Sequence, residues 1–106
     1  MKVNILGQEY EILTLTEEEY PKLKNANACG LFEGYSKQIV INKDTVEDEL
    51  TYANFKEFKN KTLRHEILHA YFHEMGLRDY CEDETLIDIL AFQIPKMTKT
   101  FKELSC

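Results

Sequence analysis

His65-Glu66-Ile67-Leu68-His69 sets two imidazoles four positions apart around a carboxylate. On a helix, at about 100° per residue, the two histidines differ by roughly 40° around the axis and about 6 Å along it, so both rings can turn toward one ion. A tetrahedral zinc needs this arrangement from two of its ligands. Glu66 stands roughly 60–100° round from the histidines, near such an ion but angled away from ligating it. That position suits a base that takes a proton from water activated by the metal.

Two histidines need a third protein ligand, and Asp83-Glu84-Thr85-Leu86-Ile87-Asp88 supplies candidates. Glu84 and Asp88 are four apart and share a helix face, whereas Leu86, Ile87, Leu90 and Ile94 occupy the opposite arc. Glu84, at the helix start, can bind the metal. Asp88, one turn on, can accept the free N–H of a ligating histidine and fix its tautomer. Ala91 continues the carboxylate face and is small enough for a close helix–helix approach. Tyr80, in the connector between the two helices, is either an oxyanion donor over the metal or a packing tyrosine. His73 lies eight residues past His65, about 12 Å along the axis, too far to join the same ion, and reads as a helix-surface histidine.

These residues must be held by helices. The first is expected over Phe55 to Met75, with Asn54 as its cap, Leu63, Ile67, Leu68, Ala70, Tyr71, Phe72 and Met75 as its apolar arc, and Gly76 just past its end. Asn60 and Lys61 mark a potential break. A second helix is expected from about Asp83 to Ile94, stopped by Pro95, with residues 96–106 as a tail that is either helical or extended. Upstream, Val3–Leu6 and Tyr10–Leu13 flank Gly7 and Gln8 as a hairpin. Leu31–Tyr35 and Gln38–Asn42 form another, and the strand around Gln38 to Ile41 can offer an open edge to an extended peptide. Thr16 with Glu17 to Glu19 opens one helical turn, Lys22 to Gly30 reads as a loop, and Asp44 to Tyr52 as an acidic turn or two of helix.

The chain has 106 residues, 43% of them hydrophobic, enough for one modest core and a single domain: residues 1–42 mainly β, 55–95 the metal-binding helices, 96–106 the tail. Nineteen acidic against thirteen basic side chains give a net charge of −6, with the lysines scattered, which argues against a nucleic-acid partner. The apolar start is broken by Asn4, Gly7 and Gln8, so no secretion signal is read, and no window has the ~20 apolar residues of a membrane span. Cys29, Cys81 and Cys106, odd in number and without CxxC spacing, read as reduced thiols of a cytoplasmic protein.

With HEILH at 65–69 and DETLID at 83–88, the chain resembles the gluzincins, zinc metallopeptidases whose HExxH helix precedes a helix carrying a glutamate ligand in an NExxxD-like motif. Asp83 stands where that family often has asparagine. The short interval from His69 to Glu84 is similar to that of the minigluzincins and of small HExxH proteins borne by phages and mobile elements. The resemblance implies an α+β, minimal zincin-like domain in which a small mixed β-sheet packs on the HExxH helix. It implies one zinc ion on His65, His69 and Glu84, Glu66 as catalytic base, Asp88 as the partner of a ligating histidine, and a peptide or protein substrate. Minigluzincins have a latent form in which the carboxyl-terminal segment fills the cleft, and here the tail or a Cys106 thiolate can do so. The rival expectation is a catalytically inactive protein that keeps zinc as a staple and works by binding a partner. Oligomeric state is not legible.

Overall fold

In a computed structural model, which describes residues 1–45 and 54–106, the chain first turns at Leu6 and Gly7, both at positive φ (52° and 90°). Two such residues make the hairpin turn whose twist suits paired strands. The turn joins β1 (Lys2–Ile5) to β2 (Gln8–Leu15) in antiparallel register from Ile5↔Gln8 to Lys2↔Glu11. A second hairpin pairs β3 (Gly30–Glu33) with β4 (Gln38–Asn42). β4 then pairs parallel with β2, so the mixed sheet has the order β1-β2-β4-β3.

β4 is therefore an interior strand, and the expectation of an open edge at Gln38–Ile41 is corrected. Ile39 and Val40 point to opposite faces and both are fully buried, as suits a strand covered on two sides. The edge strands are β1 and β3. Between the hairpins, Thr16 and Glu19 cap each other's backbone N–H groups over a single turn. The stretch expected as a loop contains a four-residue helix, α1 (Lys22–Asn25), because Leu23 is fully buried and anchors it. The expected acidic helix at 44–52 falls mostly on residues outside those described.

α2 (Phe55–Glu74) starts on Asn54, whose side chain accepts from the Glu57 N–H at 3.1 Å, and runs unbroken through Asn60 and Lys61. It ends where Gly76 (φ 74°) donates to the His73 carbonyl and Leu77 to that of Phe72, the paired bonds of a glycine-terminated helix. Leu63, Ile67, Ala70 and Tyr71 pack on Ile5, Tyr10, Ile39 and Phe32 of the sheet. Each fully buried side chain of this size contributes about 1.5–3 kcal/mol. Met75, past the last helical turn, is exposed instead. At the same end Glu74 accepts from the Tyr10 hydroxyl (2.5 Å) and from Lys37 Nζ (2.7 Å), fastening helix to sheet.

The opposite side of α2 receives α3 (Arg78–Cys81), a short helix inside the expected connector, and α4 (Glu84–Glu103). Asp83 caps α4 by accepting from the Leu86 N–H at 3.0 Å. Pro95 does not end α4, and the expected stop at Ile94 is corrected. Pro95 has no N–H for the carbonyl of Ala91, four residues earlier. Arg64 Nε of α2 donates to that carbonyl at 2.7 Å, so the freed acceptor is satisfied from outside the helix. None of the helices among the described residues is long and apolar enough to cross a membrane.

Candidate metal centre

α2 turns His65 and His69 toward the start of α4, and their Nε2 atoms stand 3.3 Å apart. The carboxylate of Glu84 closes the group, with Oε2 at 2.9 Å from His65 Nε2 and Oε1 at 2.9 Å from His69 Nε2. Two atoms each ~2.0–2.1 Å from one ion at a tetrahedral angle are themselves about 3.3 Å apart. The two imidazole nitrogens match that separation, and ligand atoms of all three residues lie within 4.8 Å of one another. Three donors converge from two helices with one side left open, so the group can hold a metal ion.

Each ring is held by its other nitrogen. His69 Nδ1 donates to the Cys81 carbonyl at 2.7 Å, which leaves Nε2 as the acceptor facing the site. That carbonyl belongs to the last residue of α3, where helix carbonyls lack intrahelical donors. His65 Nδ1 lies 3.4 Å from Asp88 Oδ1, and Lys61 Nζ holds the same carboxylate at 3.0 Å. The lysine and the histidine keep the Asp88 carboxyl below its usual range against the opposing effect of burial. Burial pushes His69 the other way, toward the neutral form that ligates, despite the nearby Glu84 charge and the Cys81 carbonyl.

Glu66 is 5% exposed, with Oε1 4.0 Å from His69 Nε2, beside the ligands but outside their ring. Burial first, and the Glu84 charge second, raise its carboxyl to about 8. It lies against β3 at Gly30, where a Cβ would meet Glu66 Cγ at 3.0 Å and Oε2 at 3.2 Å. Gly30 thus allows a close approach of strand and carboxylate, and a side chain there would press on Glu66 and require it to give by a few tenths of an ångström.

A cleft of about 900 Å³ opens over this group, bounded by β3 on one side and by α3 and the start of α4 on the other. His73 lines it, half-buried and edge-on to Phe32 (ring centroids 5.4 Å apart), so it is a cleft wall rather than a surface residue. Phe32 also stacks on His69 at 5.9 Å. Tyr80 is not brought to the site: it is exposed and lies against Phe72, 6.0 Å between centroids, away from the cleft lining. The tail does not fill the cleft either. Cys106 is exposed, and α4 carries it about 30 Å from Glu84.

The Cys81 carbonyl and Gly30 were not legible as site elements, because a backbone acceptor has no sequence signature and a glycine needed for space resembles any loop glycine. Comparisons with protein-family models, with curated proteins and with solved structures give no match to this chain.

Proposed function

We propose that this protein is a zinc-dependent peptidase of narrow specificity, built as a minimal zincin-like domain. The observation that carries the reading is the 3.3 Å spacing of His65 and His69 Nε2 under the Glu84 carboxylate, with an acid of raised pKa, Glu66, buried next to them. Two imidazoles and one carboxylate suit zinc, which when bound would act as a Lewis acid toward a water and a peptide carbonyl.

The chain's own residues supply the rest. Glu66 accepts the proton of the attacking water and returns it to the leaving amine, protected from bulk solvent by β3. The ring orientations are set by the Cys81 carbonyl and Asp88. β3 is an edge strand lining the cleft, so an extended peptide can pair with it and lay a scissile bond across the histidines. With few loops to build subsites, the domain selects a small set of peptides.

The test joins metal content to turnover. Protein purified without chelators or a histidine tag should hold about one zinc per chain, and the His65→Ala, His69→Ala double variant none. Glu66→Gln should keep the metal and lose about 10²–10⁴-fold of peptide hydrolysis. Metal retained with no hydrolysis of any peptide, and no effect of Glu66→Gln, would instead mean a zinc staple in a binding protein. No metal in the wild type would end both readings.

A further inference from the structure

α2 and α4 run antiparallel, with His65 beside Glu84, Lys61 beside Asp88 and Arg64 beside Ala91. α2 begins at Phe55, and α4 continues past Ala91 to Glu103. On that extension Met97, Phe101 and Leu104 are 44%, 47% and 70% exposed, and no described element covers them.

With Leu90 and Ile94 these residues repeat at intervals of four, three, four and three, the seam of a two-stranded coiled coil. The flanking positions, Gln93, Thr98, Thr100 and Ser105, are all uncharged. Lys96, Lys99 and Lys102 lie on the far side of the helix, centred about 180° from the seam. Lysines that meet an anionic lipid surface stand beside the apolar face, where their stems can snorkel, and these point away from it. Neutral flanks instead let two identical helices approach without like charges facing across the seam.

We infer that two copies of this chain pair antiparallel along Leu90–Leu104, with a two-fold axis near Met97. Antiparallel pairing sets the helix dipoles against each other and places Leu104 and Phe101 of one copy level with Leu90 and Ile94 of the other, so the seam is complementary to itself. The interface is isologous and closes at two copies. It stands independently of any metal or activity.

Sedimentation of the full chain from micromolar to millimolar concentration tests this. Wild type should pass from monomer to dimer. Phe101→Glu with Leu104→Glu should stay monomeric, and Thr98→Glu, which leaves the apolar seam intact, should raise the dissociation constant by about tenfold or more. Ile89→Glu, off the seam, should dimerise as wild type does. Under a thiol oxidant Met97→Cys should give a linked dimer by peptide mapping, while Cys106, about 27 Å along the axis from its counterpart, should not link to it. A monomer at every concentration, a dimer that survives the Phe101/Leu104 change, or a Cys106–Cys106 link would each overturn the proposal.

Discussion

The two halves of α4 share one apolar rhythm and have different surroundings. From Glu84 to Ala91 the helix is held by Glu84 against both histidines, by Lys61 on Asp88, and by the full burial of Ile87 and Ala91. Past Pro95 the same spacing brings Met97, Phe101 and Leu104 to an exposed face. Apolar periodicity therefore reports which face of a helix is sticky, and the length of the neighbouring helix decides whether that face is covered. Arg64 marks the boundary, since it supplies the hydrogen bond that Pro95 cannot.

The largest expected effect lies in the covered half. Ile87→Ala should cost about 2–5 kcal/mol in denaturant unfolding, as befits a fully buried side chain whose cavity cannot collapse freely. A cost near zero would break the contrast at its base. Next comes the burial of Glu66, to which the nearby Glu84 charge adds. In chelated protein the carboxyl of Glu66 is raised to about 8, above its ordinary 4.5, so the fold favours its protonated form. The stability that this form retains is present at low pH and drains away as pH rises from about 4.5 to about 8. Glu66→Gln should flatten that decline, so that the variant gains on wild type by a few kcal/mol at alkaline pH and little at pH near 4.5. Parallel melting curves for the two chelated proteins would show that the Glu66 shift is absent.

The boundary itself can be tested with a cycle. Arg64→Ala leaves the Ala91 carbonyl without a donor in a buried setting and should cost about 1–3 kcal/mol. Pro95→Ala restores the N–H of the helix, so the arginine should matter much less in that background. Equal costs in both backgrounds would mean that Arg64 acts through its ion pair with Glu57 alone, at 2.6 Å.

The same arginine explains why the sequence places the first half of α4 as a helix and leaves residues 96–106 open between a helix and an extended arm. HExxH and the pair Glu84 and Asp88 are local patterns, and helical geometry puts the members of each on one face, so only the packing of α4 on α2 had to be inferred. The stop at Pro95 was inferred from a local rule, the lost N–H, and was overridden by an arginine 31 residues earlier in the chain. The strand order failed to appear for the same reason: nothing in Gln38–Asn42 says that it will pair parallel with Gln8–Leu15 as well as with its hairpin mate. The Cys81 carbonyl that orients His69 depends on where a four-residue helix ends, which no side chain announces.

The smallest effect completes the contrast. Phe101→Ala removes a large aromatic side chain that is 47% exposed, so in protein dilute enough to be monomeric it should change unfolding free energy by no more than about 0.5 kcal/mol. Concentrated protein should behave differently, because a dimer that binds only folded chains adds stability by mass action, and the variant would forfeit that addition. The informative quantity is therefore the slope of melting temperature with concentration, steep in wild type and shallow in Phe101→Ala. A large cost in dilute protein would mean that Phe101 is covered within its own chain, and the two halves of α4 would then differ less than their exposures indicate.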